Sequence, residues 1–270
     1  MSLEKSSTLP VVVITGGGGL LGREHALALT KDNYSVVLID KDYSKLQIAL
    51  KEIRNESPGS EISLFECDLT SEVEIESVVK EIEAKFGKID VLINNASINP
   101  TPGEMNVDNS FENFSLLNWQ DELAVGLTGT LLMCKYVCRV MMQHNSGVII
   151  NIASDLSVIA PDQRIYLNDE TMSRYVKPIS YSVIKHGVIG LTKYLATYCA
   201  PYGIRVNALS PGGVETDQPE GFKTKLKNLI PMNRMARKDE YHEAIRFLSG
   251  PGSKYMTGHN LIIDGGRTIW

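Results

Sequence analysis

The sequence is short of cysteine, of positive charge and of long apolar runs, and each shortage removes a class of protein. Four cysteines (Cys67, Cys134, Cys138 and Cys199) in 270 residues are too few for a disulfide scaffold. Cys134 and Cys138 lie one helical turn apart, but no His or second cysteine pair accompanies them. Reduced core residues are therefore favoured over a metal or redox pair, and no metal is expected. The 27 Lys and Arg are outnumbered by 32 Asp and Glu, a net charge of −5. That leaves no overall basic field to hold a phosphate polymer, which counts against a nucleic-acid partner. No stretch approaches the ~18 apolar residues of a membrane span, and the opening MSLEKSSTLP has no apolar leader core. The expectation is a cytoplasmic protein without a membrane partner.

What is present is an ordinary globular composition, 43% hydrophobic and 22% charged, able to bury a large core. Apolar runs that read as buried strands recur at 11–15, 35–39, 62–67, 91–93, 148–152, 205–209 and 261–263. Between them, 21–31, 43–54, 73–86, 119–143 and 182–198 carry helical periodicity. Short strands with little polar alternation are buried on both faces, so helices must cover both sides of the sheet. Strand and helix in repeated alternation predict an α/β fold, a three-layer doubly wound parallel sheet in a single domain. Residues 1–9 read as a flexible lead. The stretches 127–142 and 183–195 are apolar nearly all round. They pack either against the sheet and a second subunit or under long loops of the same chain.

The octet 15–22, TGGGGLLG, follows the first strand and opens a helix. Glycines there permit a tight turn and let backbone N–H groups approach a pyrophosphate at the positive end of the helix. The second strand ends at Asp40, 18 positions past Gly22. A carboxylate at that edge accepts hydrogen bonds from both ribose hydroxyls and repels a 2′-phosphate, which favours NAD over NADP; the alternative is a cap for the next helix. Lys41 beside it softens the discrimination. Asp68 ends the third strand, where it touches an adenine edge or caps the helix starting near Ser71. Asn94-Asn95-Ala96 at the end of the fourth strand either ties neighbouring strands together or lines the cofactor crevice. Tyr181 and Lys185 stand four residues apart on one helix face, and a cation near a phenol favours the phenolate. Such a pair suits proton exchange with an alcohol or ketone. Ser154, at the end of the fifth strand, either hydrogen-bonds the reacting oxygen or serves a turn.

Together with IRVNALSPGGVET at 204–216 and TGHNLIIDGG at 257–266, these pieces resemble the short-chain dehydrogenase/reductase family over essentially the whole chain. The resemblance implies a Rossmann fold and an NAD-dependent enzyme that interconverts a secondary alcohol and a ketone as a homodimer or homotetramer. It implies that Tyr181 is the catalytic acid/base and that Ser154 polarises the substrate oxygen. Lys185 then binds the nicotinamide ribose and lowers the Tyr181 pKa. It places the cofactor against Gly16, Gly19, Leu20, Leu21, Asp40, Asp68, Leu69, Asn95 and Ala96 as well as Tyr181 and Lys185. Pro211, Gly212, Val214 and Thr216 would border the nicotinamide. Asp155, Arg164 and Gly213 are the substrate candidates. The segments GGGGLLG, VGLTGT and SDLSVIAPDQ are also similar to short-chain dehydrogenases of bacterial surface-sugar pathways, including the flagellin-modification type that serves legionaminic-acid synthesis. That narrower likeness agrees with carbohydrate biosynthesis and a polar substrate, either phosphorylated or an amino sugar.

Three positions depart from the family pattern. Leu20 stands at a glycine of the TGxxxGxG turn, offset by Gly17, Gly18 and Gly19. Ser97 ends the NAG triplet. Within WQDELAVGLTGT (119–130), Gly126 replaces the Asn that normally helps hold a water in the proton relay. Catalysis is thereby retained, slowed or lost, and an NAD-binding protein with little turnover stands as the competing reading. A third reading, an NADPH-dependent 3-ketoacyl-thioester reductase, is opposed by Asp40 and the net charge. Ser154 and Tyr181 are 27 positions apart, about double the family's interval, and the surplus lies at 158–178. A long loop pinned beside a crevice reads as a substrate wall or lid. The segment 99–118 would form the opposite wall. Both are polar, favouring a polar substrate, and Arg164, Arg174 and Lys177 can meet a phosphate or carboxylate unless they are merely solvated.

Overall fold

The computed structural model describes residues 9–99, 109–166 and 176–270. Seven parallel strands form one sheet, β1 (Val11–Thr15), β2 (Ser35–Asp40), β3 (Ile62–Glu66), β4 (Val91–Asn94), β5 (Gly147–Ile152), β6 (Ile204–Pro211) and β7 (Asn260–Ile263), in the order β3-β2-β1-β4-β5-β6-β7. The helices are α1 (Leu20–Thr30), α2 (Tyr43–Glu56), α3 (Glu72–Phe86), α4 (Leu116–Leu123), α5 (Gly129–His144), α6 (Ile179–Cys199), α7 (Glu220–Lys227) and α8 (His242–Ser249).

Alternate residues of each inner strand serve opposite cores, which is why the strands read as unbroken apolar runs. Val11 and Val13 of β1 pack with α3, α5 and α6, whereas Val12 and Ile14 pack with α1, α2 and α8. From β1 the chain winds outward to β3, then returns to place β4 on the other side of β1. That reversal opens a crevice at the carboxyl ends of β1 and β4.

Two expectations need correction. The single helix expected over 119–143 is α4, one π-helical turn at Ala124–Thr128, and α5. Nor is α5 apolar all round: Lys135 and Arg139 face solvent, and Lys135 Nζ pairs with Glu72 at 2.6 Å. The run Leu116–His144 has the length and hydropathy of a membrane span, yet half of its most apolar window is buried inside the fold, as in a core helix. The periodicity also missed α7 and α8, each eight residues long and too short for a sustained pattern.

All four cysteines are buried and unlinked, with the Cys138 and Cys199 sulfurs 3.6 Å apart between α5 and α6. Burial pushes the Cys67 and Cys134 thiols up to about 12, as for inert core residues. Of the lead at 1–9, only Leu9 falls among the described residues. Residues 167–175 of the insertion, Arg174 among them, lie outside the described set.

Candidate active site

A cavity of about 550 Å³ runs along the carboxyl ends of the strands, and every cofactor residue anticipated from the sequence lines it. Its floor at one end is the turn between β1 and α1. Gly16 has φ +63°, and a Cβ there would lie 2.9 Å from the Ala96 Cα. At Gly22 a Cβ would come within 2.2 Å of the Gly16 carbonyl oxygen, so both positions require glycine. Gly19 caps α1 with no side-chain hydrogen bond, and no acidic residue occupies the first turn. The unsatisfied N–H groups of that helix therefore suit an anion, the donor set a pyrophosphate needs. Leu20, standing where a glycine was expected, simply begins the helix.

Asp40 closes this end. Its Oδ2 accepts the Gly18 N–H at 3.1 Å and its Oδ1 accepts the Asp42 N–H at 3.2 Å. The cap of α2 is Asp42, which accepts from Ser44 and Lys45, so Asp40 is not the helix cap. Likewise Ser71 caps α3, while Asp68 accepts from the Thr70 N–H and hydroxyl, which lower its pKa.

The Asn94 and Asn95 amides tie neighbouring segments together, and Asn95 also lines the cavity. Asn94 Nδ2 donates to Asn151 Oδ1 at 2.9 Å, and Asn151 Nδ2 donates to Thr192 Oγ1 at 2.9 Å, joining β4, β5 and α6. Asn95 Nδ2 donates to the Thr15 and Gly16 carbonyls, which fixes the glycine turn. Small Ala96 is left to face the cavity.

Ser154, Tyr181 and Lys185 come together on the lining of the same cavity. Ser154 Oγ donates to Asp155 Oδ1 at 2.8 Å and accepts the Leu156 N–H at 3.2 Å. Lys185 Nζ donates to the Ile152 carbonyl at 2.9 Å. Burial, and then the charge of Lys177, pull the Lys185 ammonium down to about 8. Burial pushes the Tyr181 phenol up to about 12, against a Ser154 hydrogen bond that lowers it.

The substrate side differs from expectation. Arg164 does not line the cavity: its side chain, 83% exposed, folds back onto Asp162 two residues away at 2.6 Å. The described part of the insertion turns apolar groups inward instead. Ile165 and Tyr166 pack on Leu226, Ile230 and Met235, giving the wall a greasy patch beneath a polar rim. Asp155 and Gly213 do line the cavity. The basic group that meets Asp155 is Arg267, overlooked in the sequence; Nη1 to Oδ2 is 2.6 Å. Lys177 also lines the cavity and donates to Asn99 Oδ1; of the expected opposite wall at 99–118, only Asn99 lines the cavity among the described residues, and 100–108 lie outside the described set. Gly126 is buried in the π turn, where a Cβ would lie 2.9 Å from Ile184 Cγ2. Ile184, next to Lys185, thus fills the space that a longer side chain at 126 would need.

A doubly wound sheet with an uncapped helix start, a carboxylate at the end of β2 and a Ser-Tyr-Lys cluster on one cavity is the frame of a nicotinamide-dependent oxidoreductase. The chain belongs to the short-chain dehydrogenase/reductase family, NAD(P)-dependent enzymes that act on CH–OH groups. A family model described as enoyl-(acyl carrier protein) reductase matches residues 19–268. The chain is 30% identical over 267 residues to D-threitol dehydrogenase of Mycolicibacterium smegmatis, covering 96% of this chain and 93% of that one. It is 31% identical over 268 residues to a 3-oxoacyl-[acyl-carrier-protein] reductase of Synechocystis, covering 97% and 98%. The solved structure of NAD+-bound xylitol dehydrogenase superposes with a TM-score of 0.83 at 28% identity, covering 97% and 100%. Other matching structures hold NADP.

Proposed function

We propose that this protein is an NAD(H)-dependent dehydrogenase of a polar, polyol- or sugar-like secondary alcohol, with Tyr181 as acid/base. The observation that carries this reading is the meeting of Ser154, Tyr181 and Lys185 on a cavity that also reaches the α1 start and Asp40. Asp40 supports NAD over NADP, because its carboxylate is held at the cavity edge by two backbone N–H groups and would repel a 2′-phosphate. A nicotinamide held beside Pro211, Gly212, Val214 and Thr216 would accept or deliver the hydride. Tyr181 takes up the hydroxyl proton during oxidation and returns it during reduction. Ser154 holds the substrate oxygen, and Lys185 favours the phenolate and binds the ribose.

Support for a polar substrate comes from Asn99, Lys177, Asp155 and Arg267 on the substrate side and from the polyol dehydrogenases among the relatives. The surface-sugar likeness of the sequence points the same way, to carbohydrate biosynthesis. Exposed Leu131, Val183, Tyr194 and Tyr198 on α5 and α6 support a homodimer or homotetramer. The unbroken sheet favours one domain with the 158–178 insertion as its addition, and reduced buried cysteines suit a cytoplasmic setting.

The test is NAD reduction across a panel of polyols, sugars and sugar phosphates, for the protein and for Tyr181→Phe. The expected result is turnover on polar alcohols that falls at least about 100-fold in the variant. NAD binding without Tyr181-dependent turnover on any member would instead favour the binding-protein reading, which Gly126 motivates. Preference for acyl thioesters with NADPH would favour the reductase reading, which relatives of that kind motivate.

A further inference from the structure

Two ammonium groups flank Tyr181. Lys185, one helical turn further along α6, is anchored to the Ile152 carbonyl, and its Nζ lies 5.6 Å from the centre of the Tyr181 ring. Lys177, in the extended stretch before α6, is nearer: its Nζ lies 3.9 Å from the same ring centre. Lys177 is also held in place. Its main-chain N–H donates to Gln163 Oε1 at 2.9 Å, and its Nζ donates to the amide oxygen of Asn99, a neutral group; the Asp155 and Glu122 carboxylates favour its charge from further away.

Ionising Tyr181 puts a negative charge among groups from several elements. Asp155, beyond β5, and the Tyr166 phenol oppose it, with Asp155 itself paired to Arg267 from the end of the chain. Glu122 of α4, which acts electrostatically on Lys177, is held by the Ser180 hydroxyl. Lys185 and Lys177 are the cations placed against the ring. On the α4–α5 side Gly126 has no side chain, and Ile184 occupies the adjoining space. Burial resists ionisation of the phenol and also pulls the Lys177 ammonium down to about 8, so Lys177 can offset that cost only while it holds its proton. A cation over an aromatic face is attracted to the π electrons, more strongly once the ring is a phenolate.

We propose that Lys177 is a second electrostatic partner of Tyr181, stabilising the phenolate that exchanges a proton with the substrate oxygen. The proposal rests on the reading of Tyr181 as acid/base, and its test includes a readout that needs no turnover. A fluorinated tyrosine incorporated at position 181 ionises at lower pH, where the fold survives, and its fluorine NMR signal reports the titration directly. Lys177→Met should raise that midpoint by about one pH unit or more, while Lys177→Arg should leave it near the starting value. Asn99→Ala, which removes the tie but keeps the charge, should leave it unshifted. In alcohol oxidation by the unlabelled enzyme, Lys177→Met should lower the rate about tenfold near neutrality, with the loss recovering at alkaline pH. An unshifted midpoint in Lys177→Met overturns the proposal, as does an equal shift in Asn99→Ala. A shifted midpoint in a protein that turns over no alcohol would uphold the Lys177–Tyr181 pairing and count against the dehydrogenase reading instead.

Discussion

Asp155 and Arg267 form an ion pair of 2.6 Å whose two side chains are 5% and 6% exposed, and the other oxygen of Asp155 holds the Ser154 hydroxyl. The last segment of the fold thereby reaches a residue that lines the cavity beside Ser154. Removing one partner leaves the other charged and buried. Arg267→Met is expected to cost about 3–5 kcal/mol, read as a lower urea midpoint, and to release Ser154. The double variant Asp155→Asn, Arg267→Met should recover much of that loss. Equal loss in both would show that the pair's charge is not what matters.

Asp40 should decide cofactor choice. By calorimetry, the protein is expected to bind NAD at least about tenfold more tightly than NADP, a difference of about 1.4 kcal/mol. Asp40→Ala should shrink that gap by weakening NAD and admitting the 2′-phosphate. Equal affinity in the unmodified protein would remove the argument from this carboxylate.

The buried neighbours Gly126 and Ile184 should show compensation. Gly126→Asn alone forces a side chain against Ile184, 2.9 Å from its first carbon, and overpacking of this kind costs about 1–3 kcal/mol. A combined Gly126→Asn, Ile184→Ala variant should regain thermal stability relative to Gly126→Asn. If Gly126→Asn melts with the unmodified protein, the space is less filled than the geometry shows.

His25 sets an acid limit. Neither ring nitrogen has a partner among the described residues, and burial pulls its pKa down from 6.5 to about 3. Between those values the unfolded chain binds the proton and the folded chain does not, so stability falls as the pH drops below about 6.5. Going from pH 7 to pH 5 should remove about 2 kcal/mol through this group. Urea titrations at the two pH values should show a smaller difference for His25→Leu; an unchanged difference would mean that acid acts elsewhere.

The sheet was legible because each inner strand is buried on both faces, which leaves an apolar run such as VVVIT in plain sight. The cofactor end was legible for a related reason. A turn that brings a backbone to within 2.2 Å of where a Cβ would stand admits only glycine, so the constraint is written in residue identity. The substrate side was less so. Arg164 looked like a binding group, but a carboxylate two residues away captures it, and local pairing of that kind is invisible in composition. Arg267 reaches Asp155, 112 positions earlier, because Gly265 and Gly266 at φ +68° and +92° turn the chain back after β7. The GG pair marked the turn; nothing in the sequence marked where it leads. Ile165 and Tyr166 sit in a stretch that reads as polar on balance, and nothing in it marked these two as the residues that turn inward.

The π turn at Ala124–Thr128 amounts to a surplus of one residue in helical phase. Each residue of an α-helix advances the side-chain direction by about 100°. Deleting one residue from this turn would let α4 and α5 fuse into a regular rod, but at the cost of swinging α4 by that angle and carrying Glu122 away from Ser180. The half that holds Ser180 and the half that is packed into the sheet can thus be aimed separately. A single-residue deletion here would re-aim α4 and its contact with the start of α6 while leaving the core beneath α5 in register.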